Sequence, residues 1–352
     1  FMNRNSIIGI LLIFGLMIGY TVFMSPSKEE LAAQKRAQDS IAALQNQPED
    51  TAGKRNQAQV ISTQKEPARD TITANNDSLA KAGLNDELGV FAASGSGIDK
   101  IYTVESEKLK ITLSSKGGRI SQVELVGYKT YDGKPLVLFG PDSSDFNLAF
   151  FSDVRPVNTS GLYFLPAWPD KRFEGKNDIK ITGNDSVKFA LRLYAGSSDS
   201  LKASESYIEY LYTVRANDFM VGYSVNFVGM EKYIAMNTKE MNIDWRVRLP
   251  RLEKSLENEK LNTTVHFRHA DGEVDYLNER KDDQQNINTR VKWVSFKQQF
   301  FSSTLIAGDL FQNADMKKTS EPEKEQNYLE YMESTVSLPF NPLADKQLNM
   351  SF

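Results

Sequence analysis

Apolar and polar residues alternate with a period of two through most of the chain beyond Ile98, the pattern of strands with one buried face. In "MNIDWRVRL", Met241, Ile243, Trp245, Val247 and Leu249 share one face, and Asn242, Asp244, Arg246 and Arg248 share the other. The same alternation runs through Val187, Phe189, Leu191 and Leu193, and again through Phe219, Val221, Tyr223, Val225 and Phe227. "HFRHADGEVDYL" is two such runs about Asp271-Gly272, a dipeptide that favours a tight hairpin turn. Few segments have the length and period of a core helix. About 250 residues of consecutive short strands predict an all-β fold, a large antiparallel sandwich. A parallel α/β sheet needs helical crossovers that this pattern does not supply.

The amino-terminal pattern is different. Ser6 to Met24, "SIIGILLIFGLMIGYTVFM", carries no charge, and its nineteen residues make a helix of roughly 28 Å, close to the hydrocarbon thickness of a bilayer. A cleaved signal peptide is the competing reading, but "FMSPSKEE" offers no small-x-small cleavage site. An uncleaved anchor over residues 1–27 is therefore expected. Its amino terminus is placed in the cytoplasm, although Lys28, Lys35 and Arg36 beyond the span weigh slightly the other way. Gly15 and Gly19 are a candidate helix-packing pair within it. Residues 28–97 are polar, open with a capping box at Ser27 and Glu30, and hold no aromatic residue before Phe91. Such a stretch buries too little apolar area to offset its ordering entropy, so it is expected to be a disordered tether. The body is expected over residues 98–352, where all three tryptophans lie.

"ITLSSKGGRISQVEL" places Gly117 and Gly118 between Lys116 and Arg119. A glycine loop flanked by cations suits a phosphate, yet phosphate loops lead from a strand into a helix, and the residues after Gly118 alternate as a strand. No GxGxxG or GxxxxGK[ST] pattern occurs in the chain. Gly117 and Gly118 are read as a structural turn that needs positive φ.

Composition narrows the chemistry. The 352 residues are 40% hydrophobic and 25% charged, with a net charge of −4, which leaves no basic footprint for nucleic acid. Without cysteine there is no disulfide or thiolate chemistry. The two imidazoles, His266 and His269, are three apart in one predicted strand and so face opposite ways. Asp282 and Asp283 lack the spaced oxygen ligands of a calcium loop and are expected in a solvated loop. No catalytic, metal or cofactor residues are assigned. "VKWVSFKQQFFSSTLIA" gathers Trp293, Phe296, Phe300 and Phe301 into nine residues; the first three fit one face of a helical turn, and the four are expected to close the core as an aromatic cluster.

Taken in order, the span, the polar tether, "ITLSSKGGRISQVEL", "VDYLNERKDD" and "KWVSFKQQFFSSTLI" resemble the amino-terminal part of the YidC membrane-protein insertase family, in its long Gram-negative form and closest to Bacteroidota members. The resemblance covers essentially the whole chain. It implies an inner-membrane protein with its first span running from cytoplasm to periplasm. A periplasmic β-supersandwich like that of galactose mutarotase comes next, and then a core of five further spans around a hydrophilic groove, which this chain does not contain. The implied function is non-enzymatic: insertion and folding of nascent membrane proteins in the lipid bilayer, alone or with the Sec translocon and its accessory proteins. This portion is the anchor and docking domain. The rival reading is a membrane-anchored carbohydrate-binding or mutarotase-like sandwich, in which Trp168 or Trp245 stacks on a sugar.

Overall fold

A computed structural model describes residues 87–196, 204–322 and 324–352. The expected span with Gly15 and Gly19, and residues 28–86 of the expected tether, lie outside the described residues. So does the whole of the first compact unit, Phe1–Pro67; the described residues all belong to the second, Ala68–Phe352. No helix among the described residues is long and apolar enough to cross a membrane.

The described residues form twenty strands. The first seven are β1 (Ile101–Glu105), β2 (Leu109–Ser114), β3 (Ile120–Lys129), β4 (Pro135–Phe139), β5 (Ser144–Ser152), β6 (Arg155–Asn158) and β7 (Leu165–Ala167). Next come β8 (Asp178–Lys180), β9 (Ser186–Tyr194), β10 (Tyr207–Arg215), β11 (Val221–Val228), β12 (Glu240–Pro250), β13 (Thr264–His269) and β14 (Val274–Tyr276). β15 (Asp283–Ile287), β16 (Val291–Lys297), β17 (Ser302–Phe311), β18 (Asn313–Ser320), β19 (Tyr328–Pro339) and β20 (Gln347–Ser351) complete the set. One short helix, α1 (Leu256–Leu261), starts at Ser255, whose side chain accepts from the Asn258 N–H.

These strands make three sheets, ordered β4-β3-β2-β1-β8, β14-β13-β16-β17-β20-β11-β10-β9-β7 and β15-β18-β19-β12-β5-β6. Pairing is antiparallel apart from β1 with β8. The all-β antiparallel sandwich that the alternation predicts is therefore the fold. β12 buries Met241, Ile243, Trp245, Val247 and Leu249, with Trp245 stacked on Phe296 of the nine-stranded sheet, and β9 buries Val187, Phe189, Leu191 and Leu193. Asp271-Gly272 turns β13 into β14, with His266 opposite Tyr276.

Strands of the two larger sheets run between two ends of the body. Ser144 of β5, Val247 of β12 and Phe352 mark one end, tied by the ring contact of Phe146 with Phe352 at 5.5 Å. Ser152, Glu240 and Gln347 lie toward the other, where Phe340 packs on Phe227 at 4.7 Å and donates its N–H to the Lys239 carbonyl.

Three expectations are corrected. The folded body begins before Ile98: Phe91 is fully buried, meets Phe150 at 5.9 Å, and the neighbouring Val90 carbonyl accepts from the Gly196 N–H. The segment is a six-residue 3-10 helix, Gly89–Ser94, two turns that are too short for a period to register. Phe219 lies outside β11 and is half-exposed, so the inward face of that strand starts at Val221. Finally, Trp293, Phe296 and Phe300 are not on a helical turn: β16 pairs with β13 and β17, and the chain reverses over residues 298–301. Spacings of three and four fit one helical face, but here they cross a strand and a turn. Phe296 is buried, Trp293 half-buried, Phe301 partly buried against the core, and Phe300 is 68% exposed at the turn, so the four do not form one core cluster.

Candidate functional site

The Gly117-Gly118 turn joins β2 to β3 as expected, with φ of 76° and 63° and Leu113 opposite Ile120. Its backbone donors are occupied. The Lys116 N–H donates to Asp99 Oδ1 at 2.9 Å, and the Gly117 N–H to the Leu162 carbonyl at 2.8 Å. Asp99 also accepts from the Ser114 and Ser115 hydroxyls at 2.8 and 3.0 Å. A carboxylate of the chain thus sits where a phosphate cradle would hold its anion. A side chain at Gly118 would place Cβ 2.8 Å from the Phe164 ring, so the turn needs glycine for packing as well as for φ.

This turn supports a cleft. The Tyr212 hydroxyl donates to the Gly118 carbonyl at 2.7 Å, and burial pushes its phenol well above the usual range, so it remains a donor at neutral pH. Tyr212 in turn lines a cleft of about 520 Å³ where the three sheets meet. One wall is the five-stranded sheet, through Ile120, Val123, Leu125 and Leu138. Phe146 and Trp245 form the opposite wall, and Phe219, Val221 and Phe352 close a third side. Trp245 is held rigid, stacked on Phe296 at 4.0 Å and 16°. Phe300, Phe301 and Tyr128 make the lip, with Phe301 edge-on to Tyr128 at 5.8 Å.

Polar groups on the cleft are few: Ser144, Asp145, and the run Ser302, Ser303 and Thr304. Arg119 reaches Ser144 Oγ at 2.9 Å and the Pro141 carbonyl at 3.1 Å, and burial draws its guanidinium below its ordinary value. Asp145 holds Arg246 loosely at 3.6 Å. The chemistry on offer is therefore a largely preformed apolar surface with one carboxylate at its margin, the arrangement of a binding site for apolar groups.

The expected chemical candidates lie elsewhere. His266 packs its ring on Tyr276 at 5.2 Å and His269 on Phe267 at 5.1 Å, on opposite faces of β13. Burial, then the nearby Lys297, lowers the His266 imidazole. Asp282 lies in an exposed loop and accepts from the Ser320 N–H, whereas Asp283 is the first residue of β15 and accepts from the Asn278 N–H, each at 2.8 Å. No group of three or more His, Asp or Glu side chains among the described residues is placed to hold a metal ion. What the sequence did not reveal is the cleft itself. Its walls come from β2 through β5, β10 to β12, the β16–β17 turn and Phe352, and alternation says which residues face inward without saying where three inward faces fail to meet.

Together the fold and cleft define an antiparallel β-sandwich with an apolar cleft where its sheets meet. A sequence profile described as the YidC periplasmic domain matches residues 101–352. The chain belongs to the YidC family, and those residues are its periplasmic-domain part. It is 30% identical to the membrane protein insertase YidC of Parabacteroides distasonis, over 100% of this chain and 51% of that protein. It is 28% identical to the membrane protein insertase YidC of a Bacteroides fragilis strain, over 100% of this chain and 50% of that protein. The chain thus spans about half the length of the curated relatives it matches. Among solved structures it is similar to a galactose mutarotase related enzyme from Lactobacillus acidophilus, with a TM-score of 0.40 and 12% identity over 72% of this chain and 96% of that one. A galactose mutarotase-like protein from Lactobacillus casei gives a TM-score of 0.40 and 10% identity, over 71% and 98%.

Proposed function

We propose that this chain is the anchor and periplasmic docking module of an inner-membrane protein insertase. Residues 1–27 hold it in the bilayer with the amino terminus in the cytoplasm, the polar segment up to about residue 86 is a tether, and the sandwich works in the periplasm. Its partners are nascent membrane proteins and the Sec translocon with its accessory proteins. Its role is binding, not turnover. Family membership supports the setting, and the cleft supports the role: it is lined by apolar side chains from three sheets and carries an exposed phenylalanine at its lip. The cleft takes apolar side chains of a polypeptide that has not yet reached hydrocarbon, where they would otherwise face water.

The test is titration of the full chain with a fluorescent peptide rich in Leu and Phe. Phe300→Asp is expected to weaken binding about tenfold, the effect of losing one aromatic anchor at the lip, while His266→Ala leaves it unchanged. Equal affinity of wild type and Phe300→Asp removes the cleft from the account.

A further inference from the structure

We infer that the end of the sandwich opposite the cleft is a membrane-contacting face that inserts apolar turn tips into the lipid surface. The inference rests on the proposed membrane anchor. Four of the most exposed large apolar side chains in the body converge there: Val154 at 79%, Met236 at 67%, Leu343 at 62% and Phe151 at 55%. Val154, Met236 and Leu343 sit on three separate connections, β5–β6, β11–β12 and β19–β20, and Phe151 is the last residue but one of β5, beside the first of them.

The three connections are stitched into one platform. The Ala235 N–H donates to the Phe151 carbonyl at 3.0 Å, and the Ser152 hydroxyl to the Tyr233 carbonyl at 2.7 Å. Lys346 pairs with Glu231 at 3.5 Å. Val154 is carried by a turn in which Asp153 has φ of 57°, the one non-glycine residue in the left-handed region among the described residues. Aspartate is one of the few non-glycine residues that visit that region, as single turn residues.

The lipid surface is the fitting occupant for two reasons. First, the described chain enters the body at this end. Gly89 lies against Arg155, the first residue of β6, and the stretch of 62 residues numbered 25–86 separates that entry from the predicted span. Second, charge here is balanced. Asp153, Glu231, Glu240 and Asp345 are matched by Arg155, Lys232, Lys239 and Lys346. A balanced rim around projecting apolar tips suits shallow insertion at a headgroup boundary, driven by apolar burial and insensitive to salt. β5 runs from the cleft at Ser144 to this face at Ser152, so nine residues at about 3.3 Å each hold the cleft roughly 25–30 Å from the bilayer.

The absence of cysteine makes a direct test clean. Single cysteines are placed at Val154, Met236, Leu343 and, at the cleft lip, Phe300. Each is labelled with an environment-sensitive fluorophore in the full chain reconstituted into phosphatidylcholine–phosphatidylglycerol vesicles. Quenching by doxyl lipids is expected to be about threefold stronger at 154, 236 and 343 than at 300, and unchanged between low and high salt. Adding Val154→Asp and Met236→Asp should abolish quenching at 343 while the chain still floats with the vesicles. Flotation with equal, weak quenching at all four sites overturns the membrane face and leaves the anchor intact. A chain that does not float removes both.

Discussion

Gly118→Val is expected to destabilise the body by about 3–5 kcal/mol, a drop in Tm on the order of 10 °C for a domain of this size. Two effects combine. A β-branched residue held at φ of 63° is strained, and its Cβ would meet the Phe164 ring at 2.8 Å, inside van der Waals contact. Phe164 is buried and packed at a tilt on Tyr210 at 4.8 Å, so moving it disturbs the core. The shift should also disturb the Tyr212 bond to the Gly118 carbonyl and so the cleft wall. Gly117→Val should cost less, because its Cβ meets the Ser160 backbone at 3.2 Å. Urea unfolding checks both; unchanged midpoints in the two variants would remove the turn argument.

Trp245→Ala should cost a similar 3–5 kcal/mol, roughly the usual range for truncating a buried aromatic. The indole is buried, stacked on Phe296 and edge-on to Phe352 at 6.2 Å. Removing it also enlarges the cleft, so apolar-peptide binding should weaken together with stability. Trp245→Phe keeps much of the stacking area and should recover most of both. A loss below about 1 kcal/mol for the alanine variant would mean this cleft wall is not part of the packed core.

The strands were legible because each has one buried face, and a period of two survives wherever that is so. β12 is the clearest case, with five inward residues in eleven and Asn, Asp and Arg between them. The turn at Gly117-Gly118 was legible for a related reason: strand alternation on both sides left no helix to receive a phosphate. Phe91 was not, because a six-residue 3-10 helix carries too little period to register and Phe91 packs on Phe150, far along the chain. Nor was the split fate of Phe296 and Phe300. Four residues apart, they differ in burial only because β13 offers a strand partner as far as Lys297, after which the chain must turn. The cleft was the least legible feature. Trp245 reads as an ordinary inward residue of its strand, and nothing in that alternation sets it on a space shared with Leu125 and Phe352.

The claim that the cleft receives apolar polypeptide is tested most directly by site-specific photocrosslinking of the full-length protein in inner membranes. A photoreactive phenylalanine analogue at position 300 is expected to capture the apolar segment of a ribosome-stalled nascent membrane protein, and one at the exposed Lys281 is not. Adducts of equal yield at both positions, or none at position 300 while the membrane protein still inserts, would contradict it.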